Sequence, residues 1–256
     1  MIRLSDRLQI IADQVRPGEV LADIGTDHGQ LPVYLYEEGI CPRVILADIS
    51  EPSLAKAKET AGAGQFGSGI SFRVGNGLQV LEPGEADVVV IAGMGGRLIR
   101  DILAEDHVKT RSFSRFVFQP RTASGPLRKW LSEAGFSILR EDIVREGQFL
   151  PEIITASPGE NEGRGQESGV WKPLAAPESL DPGLGEDSIR FAVPPWIVEA
   201  SGPVDEFLDR KTGEQRKILA GLRQAVDPDK EAIRVTEENI EYLEGLKGKY
   251  LRTKAE

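Results

Sequence analysis

The chain has 256 residues, enough for a substantial core, with 40% hydrophobic residues and a formal net charge of -10. No apolar run approaches the ~18 residues of a membrane span and the start MIRLSDRLQ lacks a signal-peptide core, so the cytoplasm is the expected compartment. One cysteine, Cys41, and two histidines, His28 and His107, leave no basis for a disulfide framework or a metal site, and the acidic balance argues against a uniformly basic nucleic-acid surface.

Apolar spacing at Leu4, Leu8, Ile11 and Val15 predicts a leading helix with Ser5 as its cap. Short β-type runs then alternate with helical periods. Strands are expected at 20–25, 44–49, 70–74, 87–92 and 115–119, with helices over 31–38, 52–61, 97–105 and 126–134 between or after them. This is the pattern of an α/β fold with a parallel sheet covered by helices. The rhythm changes in "GFSILREDIVREGQFLPEIITA", two extended runs with no helix between them, which predicts an antiparallel hairpin closing the sheet. Residues 157–203 are rich in Gly, Pro, Ser and Glu and carry much of the excess acid, so they are expected to form an insertion or linker whose aromatics, Trp171, Phe191 and Trp196, dock elsewhere. Residues 204–256 turn helical on both sides of the breaker Asp227-Pro228-Asp229 and predict a coiled-coil-like helical hairpin. The expected division is therefore 1–156, 157–203 and 204–256.

The ligand crevice of an open parallel sheet lies beyond the carboxyl ends of its strands. The first such end is "ADIGTDHGQ", with Asp23, Gly25, Asp27, His28 and Gly29. It lacks the glycine spacing of a pyrophosphate loop, and two aspartates suit a cationic or neutral ligand better. The second strand ends in Asp48, where a carboxylate could accept from ribose hydroxyls; capping of the next helix is the plainer alternative. The third ends in Gly75-Asn76-Gly77, whose amide could read an adenine edge, and the fourth in Gly93-Met94-Gly95-Gly96. Four such ends describe a pocket for a phosphate-free nucleoside, and S-adenosylmethionine fits it. Between His107 and Ser132 lie six basic residues and no acid. Arg111, Arg121, Arg128 and Lys129 in that strip, with Arg7 on the leading helix, are the candidates for gripping a polyanion; a solvated face is the competing reading. Gln119, at the end of the fifth strand, could bond to a target base.

"ADIGTDHGQLPVYL", "VIAGMGGRLIRDIL", "QPRTASGPLRKWL" and "REGQFLPEIITA" resemble, in order, signature segments of the bacterial tRNA (adenine(22)-N1)-methyltransferases. The late "SGPVDEFLDRKTGEQRKILAGL" resembles the start of that family's C-terminal helical hairpin. The resemblance implies a seven-stranded Rossmann-like sheet, mostly parallel with a terminal antiparallel hairpin, plus a C-terminal α-helical hairpin. It implies a tRNA substrate, S-adenosylmethionine as cofactor, no metal, and methylation of N1 of an adenine in the D-loop region. By position, Asp23, Gly25, Asp27, His28 and Gly29 would hold the methionine part, Asp48 and Ile49 the ribose region, and Gly75, Asn76 and Gly77 the adenine. Gly93, Met94, Gly95 and Gly96 would wall the transfer site, with Asn76 and Gln119 as catalytic candidates. The chain departs from the family where Asn76 replaces its usual aspartate. Other readings on the same sheet are a methylase of another RNA position, a non-catalytic RNA-binding protein that kept the fold, and a nicotinamide-dependent oxidoreductase.

Overall fold

The structure is a computed structural model that describes residues 2–62, 69–159, 173–175, 180–181 and 183–255. The leading helix α1 (Asp6–Ala12) begins where the Ser5 hydroxyl accepts the Leu8 amide, satisfying one of its orphan donors. Strands β1 (Val20–Ile24), β2 (Arg43–Asp48) and β3 (Ile70–Val74) alternate with helices α2 (Gln30–Glu37) and α3 (Glu51–Thr60). Ser50 caps α3 by accepting the Ser53 amide. Next come β4 (Val88–Gly95), α4 (Gly96–Glu105), the short α5 (His107–Thr110), β5 (Arg115–Thr122) and α6 (Ser124–Glu133). The expected hairpin is β6 (Phe136–Ile143) and β7 (Glu152–Pro158).

The seven strands form one sheet in the order β3-β2-β1-β4-β5-β7-β6, parallel from β3 to β5, with β7 antiparallel to both β5 and β6. The order reverses between β1 and β4, which opens a crevice above their carboxyl ends. Strand residues alternate between two cores, as their period of two requires. Val89, Ile91, Phe116 and Phe118 pack with Ile99, Leu103, Leu127 and Leu131 on one face. Val88, Val90 and Val117 pack with Ile11, Val33, Leu54 and Ala57 on the other.

Within the insertion, α7 (Ile189–Ala192) and a 3-10 turn (Pro195–Glu199) bury Phe191 and Trp196 as expected, while Trp171 lies outside the described residues. Helices α8 (Val204–Gln224) and α9 (Lys230–Ala255) form the predicted antiparallel pair, separated at the Asp-Pro-Asp breaker. Val204, Phe207, Leu208, Leu243, Leu246 and Tyr250 join Ile143 and Ile197 in a third core. The large apolar side chains Ile218 and Val226, nearer the Asp-Pro-Asp breaker, are exposed.

Candidate functional site

Strand register sets the crevice floor. Ile24 is level with Ala47 and Ile91, Asp48 with Val74, and Ala92 with Gln119. One row, Val74, Asp48, Gly25, Ala92 and Gln119, thus crosses five strands; Asp23 lies two residues before it and the other predicted crevice residues lie on it or within four residues beyond. Gln119 and Asp48 stand three strands apart, about 14 Å at ordinary strand spacing, so they face different parts of any ligand.

Asp23 is the most perturbed acid in the crevice. It is 6% exposed and accepts the Thr26 hydroxyl at 2.7 Å. Burial, opposed by that hydrogen bond and reinforced by the nearby Asp48 charge, pushes its carboxyl up to about 6. No basic side chain pairs with it among the described residues, so a cationic ligand group would supply the missing countercharge. Thr26, which the sequence reading did not single out, is buried and orients this carboxylate; its place three residues after Asp23 was the available signal.

Asp48 accepts the Asp27 amide at 3.3 Å and the Ser50 amide at 2.8 Å, tying the first two strand ends together. Its cap-like bond to Ser50 is real, but the cap of α3 is Ser50 itself. Asp27 has φ +46, a left-handed conformation unusual for a side-chain-bearing residue, and its exposed carboxylate lies near His28 and Lys56 at 3.7 and 3.9 Å. Ile49, beside Asp48, is 72% exposed. Gly29 starts α2, where a Cβ would lie 2.7 Å from Leu46 Cδ2.

The fourth strand end is irregular. Pairing of β4 with β5 shifts register on both sides of Met94, and Gly93 takes φ +80 with open space where a Cβ would stand. Bulges of this kind re-aim a strand beside a site. The Met94 side chain folds over Gly25, where any Cβ would collide with its Cε. Gly95 and Gly96 run along Thr122 and Ala123, and Ala123 is, with Asp27, a non-glycine residue with positive φ, at +53.

Gly75, Asn76 and Gly77 follow β3 at the sheet edge, with Asn76 exposed and Gly77 buried against Ile102. Two strands, β2 and β1, lie between β3 and the Gly93 region of β4, so Asn76 stands about 14 Å along the sheet from the glycine wall. Gln119 is buried at the other end of the row, accepts Arg7 Nη1 at 3.0 Å and donates to the Pro120 carbonyl at 3.1 Å. Arg7 also donates from Nε to Glu146 at 3.1 Å. The leading helix therefore does face the crevice.

The basic strip does not form one surface. Its members are divided by β5, whose eight residues span about 26 Å. Arg111 lies before β5, at the opposite end of the sheet from the crevice, and donates to the Ala134 and Gly159 carbonyls. Arg128 is fully buried and bonds Glu141 at 2.7 Å and Glu152 at 2.6 Å, so it cannot meet a phosphate. Lys129 is held by the Leu184 carbonyl and Glu133, each at 2.9 Å. These three expectations are corrected for one reason: charges neighbouring in sequence were drawn into separate internal ion pairs and caps. Arg121 is exposed on β5, two residues past Gln119 at the crevice end of the strand. Insertion residues Glu186 and Asp187 pair with Arg97 on the first turn of α4. Among the described residues no cluster of acids, cysteine and histidines could hold a metal ion, and no helix is long and apolar enough to cross a membrane.

A family model described as "Methyltransferase domain" matches residues 4–154. A tRNA (adenine(22)-N(1))-methyltransferase of Bacillus subtilis is 35% identical over 161 residues, covering 63% of this chain and 68% of the relative. The crystal structure of the B. subtilis m1A22 tRNA methyltransferase superposes with a TM-score of 0.79 at 28% identity, over 96% of this chain and 99% of that one. A Streptococcus pneumoniae putative tRNA (m1A22) methyltransferase, solved in complex with S-adenosyl-L-methionine, superposes at 0.70 with 26% identity, over 95% and 99% of the two chains.

Proposed function

The chain belongs to the tRNA (adenine(22)-N1)-methyltransferase family, and from that premise we infer that it transfers a methyl group from S-adenosylmethionine to N1 of adenine 22 of tRNA, working in the cytoplasm. Bound in the crevice, the cofactor supplies an electrophilic methyl group on a positively charged sulfur. The observation that carries the assignment of the pocket is Asp23, a buried carboxylate with no cation among the described residues, two residues below a row of strand ends that offer a second carboxylate, an amide and a glycine-lined wall.

In this reading Asp23, held by Thr26, receives the ammonium of the methionine tail, and the Gly25 to Gly29 loop lets backbone approach it. Asp48 accepts from the ribose hydroxyls, Ile49 lays an apolar face against the adenine, and Asn76, between Gly75 and Gly77, reads its edge. Gly93 to Gly96 wall the space in which the substrate base meets the methyl group. Gln119, its amide oriented by Arg7, contacts that base.

Neutral adenine presents a lone pair at N1, so the nucleophile needs no strong base to create it. The demand on the protein is alignment, and holding the base in line within a water-poor crevice accounts for most of the acceleration required. N1 lies on the pairing edge, so the base must leave its stack to reach the strand ends. The division into a methyltransferase unit of 1–156, an acidic connection of 157–203 and a helical hairpin of 204–256 belongs to the same proposal; packing of α8 and α9 at the crevice end of β6 supports a part for the hairpin in seating the tRNA.

The test is transfer of a labelled methyl group to tRNA, followed by nuclease digestion and mass spectrometry. The expected product is 1-methyladenosine at position 22, absent when that adenine is replaced. Labelling at another position, or none from any tRNA despite bound cofactor, would overturn the assignment.

A further inference from the structure

The segment "REGQFLPEIITA" contains an aromatic side chain without a partner among the described residues: Phe149 is 63% exposed at the tip of the β6–β7 hairpin. Its neighbour Leu150 is buried in the third core, so the chain is anchored where the ring projects. Because β6 runs parallel to β5, this tip stands at the crevice end of the sheet.

Register tells which way the ring faces. Glu146 and Phe149 exchange both backbone hydrogen bonds, at 3.1 and 3.0 Å, so they are directly opposed and their side chains leave the hairpin on the same face. The Glu146 carboxylate on that face binds Arg7, and Arg7 binds Gln119 on the crevice floor. Phe149 thus rises beside a short polar chain leading to the predicted contact with the target base. The loop is braced from behind, by the Arg145 pair with Glu206 and by Arg210 donating to the Gln148 carbonyl at 2.7 Å. An apolar ring held out of the core on a braced hairpin, next to guanidinium groups, has the chemistry of a stacking platform for an unpaired base.

We propose that Phe149 stacks an unstacked nucleobase of the tRNA at the mouth of the crevice and so positions the target adenine over Gln119. This rests on the tRNA reading above. Phe149 is a positioning residue: it holds the polynucleotide, while the reacting atoms lie deeper.

The experiment compares Phe149→Ala, Phe149→Leu and Phe149→Trp in methyl transfer to tRNA, with S-adenosylmethionine affinity and thermal midpoint measured on each. Loss of one stacked base lowers kcat/KM for tRNA by about 5- to 150-fold in Phe149→Ala. Phe149→Trp should retain most of the wild-type value and Phe149→Leu should resemble Phe149→Ala, since leucine keeps apolar bulk without a flat π face. Cofactor affinity and midpoint should not move. Wild-type kcat/KM in Phe149→Ala, or equal rescue by leucine and tryptophan, would overturn the inference while leaving the enzyme assignment intact. A wild-type protein inactive on every tRNA would overturn both.

Discussion

Replacing Asp23 with asparagine should stabilise the cofactor-free protein while weakening cofactor binding. The carboxyl's rise from an ordinary 3.8 to about 6 means the native site favours the protonated form, chiefly because the group is buried. A group whose folded value is raised contributes its full relative stability below the unfolded value and loses it as pH climbs through the folded one. At pH 7.5 the ionised carboxylate therefore costs the fold about 3 kcal/mol, and at pH 5 about half of that. Asparagine has nearly the same shape, and its amide oxygen can still accept the Thr26 hydroxyl. Urea unfolding without cofactor should show Asp23→Asn more stable at pH 7.5 by up to about 3 kcal/mol, with the advantage shrinking toward pH 5. Calorimetry should show its affinity for S-adenosylmethionine falling at least about tenfold, since a charge-assisted bond to the ammonium is lost. By the same linkage, wild-type affinity should weaken below about pH 6 as Asp23 protonates. A mutant no more stable at pH 7.5, or a stability difference unchanged between pH 5 and 7.5, would refute the reasoning.

Asp48→Ala should weaken S-adenosylmethionine binding by about 10- to 150-fold, the loss of hydrogen bonds to a charged acceptor, and unchanged calorimetric affinity would remove Asp48 from the site. Arg128→Met should lower stability by about 3–5 kcal/mol, because Glu141 and Glu152 would be left buried without a cation, and a thermal midpoint equal to wild type would contradict that burial. Arg121→Glu should leave the midpoint in place but weaken tRNA binding and flatten its salt dependence; an unaltered salt slope would take Arg121 out of the interface.

The sheet and its crevice were legible in sequence because each rests on a local pattern. Short β-type runs fixed five strands to within a few residues, and the first four strand ends carried glycine or acid where the crevice opens. Bonds across the fold left no such trace. Arg128 looked like one member of an acid-free strip, yet its partners stand 13 and 24 residues away on β6 and β7, and Trp196 from the insertion donates to the same Glu141. A buried arginine and a phosphate-binding arginine have the same one-letter code and the same neighbours in sequence; only the sheet order decides between them. The reverse holds at the mouth of the crevice. Arg7, Gln119 and Glu146 are 112 and 139 residues apart in pairs, and none belongs to a recognisable basic cluster, yet α1, β5 and the β6–β7 hairpin bring them into one hydrogen-bonded chain beside an exposed aromatic ring. On the proposed reading a tRNA-modifying enzyme can carry a net charge of -10, because the groups assigned to the polynucleotide are few, lie at one end of the sheet, and come from elements that a count of charges along the chain keeps apart.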